Sequence, residues 1–291
     1  MEKMSQYTFL AALVSVALAA LIYVVYTLAP RRSAVAVGAG AGSGTHTVQT
    51  RESGLPELGG YGTTMAALGF AFLTLSLIAR AIATGHGPFA NQYEFSVSFA
   101  WGIVGVYLYF EQRYRTRALG VLVLPITAAL LFLATLMPSN IEPLIPALQN
   151  NLLLTVHVAI AILAYGTFAV SCGAAVLYLI QIDSQLSWLP DAELLDEIGY
   201  RAVVIGFPAM ALVIILGAVW ADVAWGSYWS WDPKETASLI TWLLYGGYLH
   251  ARTMRGWRGR RSAWLLIIGF AATLGTFGGN YVFGGLHSYA G

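Results

Sequence analysis

The sequence predicts an all-α, polytopic membrane protein of about eight transmembrane helices, with a tryptophan-rich loop on the extracytoplasmic side. Three observations predict it. Of the 291 residues, 58% are hydrophobic and 10% charged, against about 25% charged in a soluble domain, and mean hydropathy is +0.68. Apolar runs recur at about 6–29, 61–83, 92–110, 118–137, 151–181, 200–220, 236–254 and 262–280; each approaches the ~20 residues that cross a bilayer at ~1.5 Å per residue. The basic residues take sides. Twelve of the fifteen Lys and Arg, namely Arg31, Arg32, Arg51, Arg113, Arg115, Arg117, Arg201, Arg252, Arg255, Arg258, Arg260 and Arg261, fall after spans one, three, five and seven, leaving Lys3, Arg80 and Lys234 opposite. The positive-inside rule therefore puts the twelve in the cytoplasm of a multi-pass cytoplasmic (inner) membrane protein, with both termini and the tryptophan-rich loop outside.

Taken in order, residues 1–60 read as an anchor helix and a flexible cytoplasmic linker. The positive flank of the first run follows it rather than preceding it, which suits a retained anchor and not a cleaved signal. Residues 33–60 are rich in Gly, Ala, Ser and Thr, a linker composition in which His46 is a solvated side chain. Residues 61–291 form the membrane domain. Between spans five and six, Pro190–Ile198 predicts a short amphipathic helix capped near Asp191, with Leu194, Leu195 and Ile198 on its apolar face. The single cysteine, Cys172, lies within an apolar run, so an internal disulfide, a thiol-redox pair and a Cys-x-x-Cys-His haem-attachment box are all excluded. A net charge of +1 gives no reason to expect nucleic acid.

The stretch Trp220–Glu235 holds four of the nine tryptophans, with Asp222, Asp232, Lys234 and Glu235 among them. Indole favours the headgroup region, where its ring is apolar and its N–H is wet, so an aromatic belt is one reading. A tryptophan-walled platform for a large planar ligand is the other. A helical segment would put Trp225 and Trp229, and Trp229 and Asp232, on one face.

Four histidines bear on the choice. His157 sits about six residues into span five, ~9 Å below the outer end, where an imidazole is costly unless it faces a partner or cavity. His287 lies in the outer tail, His86 in a Gly/Pro turn after span two, and His250 toward the cytoplasmic end of span seven, ~21 Å from the outer face. His157 and His287 reach the same face as the tryptophans. Two imidazoles flanking a flat macrocycle suit haem iron, whereas structural zinc would want more donors, preferably thiolates.

Trp225-Gly-Ser-Tyr-Trp-Ser-Trp-Asp-Pro-Lys-Glu-Thr236, followed by Leu-Ile-Thr-Trp-Leu and Tyr-Leu-His-Ala-Arg252, resembles the WWD signature of the CcsA (ResC) family of cytochrome c biogenesis proteins. Thr155-Val-His-Val158, Ala164-Tyr-Gly-Thr-Phe168 and the tail Gly285-Leu-His-Ser-Tyr-Ala290 are similar to that family too, so the likeness runs from about residue 61 to the end. The resemblance implies that His157 and His287 hold the iron of haem b beside the WWD loop (220–236), where Trp225, Trp229, Trp231 and Asp232 contribute to binding. It implies that His250 is one ligand for haem in transit, the second coming from a CcsB (ResB)-like membrane partner. Ala90 and Phe95 replace the small hydroxyl residues usual around His86, which stays outside the ligand set.

The function so implied is transport and presentation of haem and its covalent attachment to an apocytochrome c Cys-x-x-Cys-His segment. The chain would be the haem-handling subunit of a cytochrome c synthase (haem lyase) with its CcsB-like partner, served by thiol-reducing pathway proteins. No residue of the chain need act as a nucleophile, because the substrate brings the thiols. For Asp232, capping of span seven is the leading expectation, and Lys234 suits a propionate on charge grounds. The alternative is a bis-histidine membrane electron-transfer cytochrome.

Overall fold

The structure is a computed structural model that describes residues 1–28, 31–37, 47–53, 56–141, 148, 151–282 and 284–286. Eight helices run in order: α1 (Glu2–Leu28), α2 (Pro56–Thr84), α3 (Gln92–Tyr114), α4 (Gly120–Ala134), α5 (Asn151–Ser184), α6 (Ala192–Trp225), α7 (Pro233–Arg255) and α8 (Arg260–Val282). Each matches one of the eight apolar runs. Five of them (α1, α2, α5, α6 and α8) are long and apolar enough to cross a membrane by length and composition. Of the others, α3 and α7 carry charged residues near their ends, and α4 has 15 residues with Pro125 inside it.

Two segments depart from expectation. Where a flexible linker was expected, β1 (Arg31–Val37) pairs antiparallel with β2 (Thr47–Ser53), from Arg31 opposite Ser53 to Val37 opposite Thr47. Val35, Val37, Thr47, Val48 and Thr50 supply the β-branched content that favours strands. The connecting residues 38–46, with His46, lie outside the described residues. The short helix expected at Pro190–Ile198 is not separate. It is the first part of α6, which runs unbroken for 34 residues, and Asp191 sits at its N-cap without a side-chain capping bond. Leu195 and Ile198 are buried in the core as their pattern predicts.

The packing is pairwise, α1 along α2, α5 along α6 and α7 along α8, with α3 joined to α4 and α5. Outward faces stay apolar, for example Leu10, Val14, Leu21 and Val25 on α1 and Leu212, Ile215 and Val219 on α6, as lipid contact requires.

Several charged groups inside the bundle are paired. Arg80, one of the basic residues that breaks the charge bias, is 2% exposed and Glu94 1%. Arg80 Nε donates to Glu94 Oε1 at 2.7 Å and its Nη2 to the Asn140 carbonyl at 3.2 Å. The Glu111 carboxylate accepts from Tyr23 (2.8 Å), Thr63 (2.5 Å) and Tyr107, joining α1, α2 and α3. Arg252 makes a two-pronged bond to Asp196 at 2.9 and 2.6 Å, fixing α7 against α6.

Removing one partner of a buried ion pair leaves a charge without compensation, at about 3–5 kcal/mol. Arg80→Ala is therefore expected to lower the midpoint of chemical unfolding in detergent micelles more than the Arg80→Met, Glu94→Leu double variant does. The reverse order would assign the pair no structural role.

Candidate functional site

A cavity opens where the N-termini of α3, α5 and α7 meet the C-termini of α6 and α8. Its lining surrounds about 1200 Å³ of non-protein space, the solvent at its open mouth included. One wall is aromatic: Phe99 stacks on Tyr165 (5.0 Å between centroids) and meets Phe277 edge-on (5.3 Å). Leu154, Val158, Val213 and Ile214 extend the apolar lining, and Trp220, Tyr228 and Trp229 close the loop side.

His157, projected from α5, lines this cavity. Its ring lies against α6 at Gly217, where a Cβ would come within 3.0 Å of His157 Cε1. A bare backbone at that point gives the imidazole its bed.

The tryptophan-rich segment divides into three parts. Helix α6 continues to Trp225, so Trp220 is 3% exposed within the core and Trp225 meets it edge-on at 4.7 Å and 75°. Gly226 then ends the helix with φ +74°, a left-handed cap that glycine adopts freely. The expectation that Trp225, Trp229 and Asp232 share a helical face fails here, because the cap turns the chain out of the helix. Trp229 and Trp231 meet at 5.6 Å and 90°. Trp231 is 69% exposed and takes φ +59°, a conformation rarely adopted by a bulky residue.

Two carboxylates hold that segment. Glu235 Oε2 accepts from Ser230 N (2.8 Å), Ser230 Oγ (3.2 Å) and Asp232 N (3.2 Å). Asp232, 5% exposed, is the N-cap of α7: its Oδ1 accepts from Lys234 N at 2.9 Å, completing a capping box with Glu235. Its Oδ2 accepts from Leu286 N at 2.6 Å. The C-terminal chain therefore crosses the start of α7, and at Gly285 a Cβ would stand 2.3 Å from Asp232 Oδ2. His287 follows Leu286 in sequence and lies outside the described residues.

The other histidines are elsewhere. His250 is exposed near the far end of α7 and does not line the cavity. His86 Nδ1 donates to the Gly87 carbonyl at 2.8 Å within its turn. Sequence reasoning missed Trp220, Gln92, Phe95 and Gly217 as parts of the site. Trp220 carried a signal in its place at the end of an apolar run; the others depend on which helix faces turn inward.

Membrane-spanning helices whose ends frame a tryptophan-walled cavity with a histidine in its lining define a multi-pass membrane protein with a candidate site at one face. The family model described as "Cytochrome C assembly protein" matches residues 89–287. The "Cytochrome c biogenesis protein CcsA" of Guillardia theta is 37% identical over 258 residues, covering 79% of this chain and 85% of that protein. Those of Microcystis aeruginosa and Gloeobacter violaceus are each 35% identical, with 81% of this chain and 89% and 88% of theirs covered. Among solved structures, "Cytochrome c Heme Lyase CcmF" superposes with a TM-score of 0.66 at 19% identity, over 95% of this chain and 46% of that one. This chain spans about half the length of that protein, and the likeness is one of fold. The chain belongs to the CcsA family of cytochrome c biogenesis proteins.

Asparagine offers one acceptor oxygen where Asp232 offers two. Asp232→Asn should therefore release either the α7 cap or the tail, at about 0.5–2 kcal/mol for a lost cap, and Asp232→Ala both. Hydrogen–deuterium exchange over residues 226–236 and 284–291 measures this. Unchanged protection in both segments of the alanine variant would refute the two-armed role.

Proposed function

We propose that the chain receives haem b, presents it at the extracytoplasmic face between His157 and His287, and so supports its attachment to apocytochrome c. The observation that carries this is the His157 imidazole in a tryptophan-walled cavity, with the tail tied to the adjoining loop one residue before His287. An apolar slot with aromatic walls suits a planar macrocycle, and imidazole suits its iron. Trp229 and Trp220 are the indoles that face the slot. Trp225 supports Trp220 from behind, and Trp231 braces Trp229.

In this reading the chain works with a CcsB-like membrane partner in the cytoplasmic membrane, as the haem-handling subunit of a synthase, with the arginine-rich ends of the bundle in the cytoplasm. His250 faces outward from the bundle, which suits a transit ligand whose opposite number comes from the partner. The substrate supplies two cysteine thiols, kept reduced by thiol-reducing proteins. Each S–H adds across a vinyl C=C, sulfur to one carbon and hydrogen to the other. The chain's own contribution is orientation, which is worth up to about 7–11 kcal/mol when reacting groups are well aligned. The histidine of the apocytochrome must replace one protein imidazole. His287, on the tail, is the exchangeable one, and His157, bedded on Gly217, the fixed one.

The visible spectrum of the purified protein tests the assignment. A Soret band is expected in the wild type, weakened or shifted in His157→Gly and in His287→Gly and restored by added imidazole. A band identical in both variants would remove these histidines from the iron. In a complex with the partner, His250→Ala should lower the haem that reaches the outer site; full occupancy there would take His250 off the route.

A further inference from the structure

Resting on that reading, we infer that the cavity carries a carboxylate-binding subsite, with Lys234 Nζ as its cation and Gln92 Nε2 and Trp229 Nε1 as neutral donors. It selects cargo that bears a free carboxylate on an apolar body, as the propionate edge of haem does.

All three residues line the cavity. Lys234, the second residue of α7, is the one Lys or Arg among the described residues that does so. Its Nζ lies 5.5 Å from the centre of the Phe95 ring, itself part of the lining. No carboxylate of the described residues comes within ion-pairing distance of it. Of the neighbouring acids, Asp232 accepts a backbone N–H at each oxygen, and Glu235, the one carboxylate in the lining, holds the loop by three bonds at Oε2, while its Oε1 is buried without a hydrogen-bond partner among the described residues. Burial pushes the Lys234 ammonium below its ordinary pKa, against the opposing pull of Asp232. An ammonium half-buried among apolar side chains, with no carboxylate of the described residues in ion-pairing range, gains from a ligand anion beside it.

The two neutral donors fit the same role. Gln92 Nε2 and Trp229 Nε1 are sealed from solvent and donate to nothing among the described residues, a state that native folds seldom keep without a ligand, ion or water. Gln92 opens α3 as Lys234 opens α7, so two helix N-termini add positive potential at this end. Most of the remaining lining is aliphatic and aromatic, with His157, Glu235, Ser238 and Thr276 as its other polar members. A wholly apolar ligand would leave these donors unanswered; a ligand with an acidic edge answers them.

The test titrates the purified full chain in non-ionic detergent with iron protoporphyrin IX and with its dimethyl ester, reading the Soret band. The ester, whose carboxylates are capped, is expected to bind at least about tenfold more weakly, the scale of one charge-assisted hydrogen bond. Lys234→Met should bring the diacid down to the ester's affinity and leave the ester unchanged, and Gln92→Leu should produce a smaller loss for the diacid alone. Equal affinity for diacid and ester in the wild type overturns the subsite while leaving haem binding intact; failure to bind either overturns the reading on which it rests. If phosphatidylglycerol displaces diacid and ester alike from the wild type but not from Lys234→Met, the cation belongs to a lipid headgroup phosphate and the proposal falls.

Discussion

The Asp232 carboxylate accepts two backbone N–H groups from chain segments more than fifty residues apart. One bond starts α7, and the other fixes the C-terminal chain over that start. Residues 226–232 have no ladder or helical turn of their own, so their shape depends on this carboxylate and on Glu235 beside it. The left-handed backbone of Trp231 costs of order 1–3 kcal/mol for a residue of its kind. The capping box offsets it, since the Asp232 N–H that follows Trp231 donates to Glu235. The indoles are thereby held edge-to-face, Trp225 on Trp220 and Trp231 on Trp229, an arrangement that aromatic quadrupoles favour. A belt of tryptophans at a membrane face needs no such scaffolding.

Much of the fold was legible because a bilayer forces it: a chain that must satisfy its backbone in hydrocarbon can only run as helices, so apolar runs map onto them. What stayed hidden depended on partners distant in sequence. The sequence predicts a short helix at Pro190–Ile198 separate from the apolar run at about 200–220, with Asp196, Glu197 and Arg201 around the boundary. The structure continues the helix through them, since Arg252 from α7 neutralises Asp196 and Arg201 pairs with Glu197 at 2.5 Å. Pro208 lies within the same helix without ending it. The pairing of β1 with β2 was obscured by small residues, although Val35 and Val37 alternate with alanine in β1 and Thr47, Val48 and Thr50 begin β2.

The site divides along the same line. His157 stood out because an imidazole in an apolar run demands a reason, and the tryptophans stood out by their density. Their separate duties did not, because a run of indoles says nothing of which ring turns inward. Trp220 and Trp229 line the cavity, Trp225 does not, and Trp231 faces out. Gln92 and Phe95 lie more than sixty residues before His157 in sequence and join it only because α3 and α5 begin at the same end of the bundle. Helices apolar on all sides leave no amphipathic stripe from which an inward face can be read. Gly217 is the extreme case: its meaning is the absence of a side chain where the His157 ring rests.

Helix α7 links the two faces of the proposed route. Its N-cap and first turn hold Asp232, Lys234 and Glu235 beside the cavity, and its last two turns hold His250 and Arg252, about 25 Å away at 1.5 Å per residue. The two ends are anchored differently. At the cavity end the bonds run to the loop and the tail, all within the chain. At the other, Arg252 is clamped by Asp196 and lies over Tyr200, 4.5 Å from its ring centre, while His250 beside it points out of the bundle. Fixing the backbone while leaving the imidazole exposed is what a site shared between two chains requires, because the ordering entropy of the helix is already met before the second chain arrives. On the proposed reading, the outer site is completed by this chain and the inner one is left half built, so cargo held at His250 must be released by a partner before the cavity can take it.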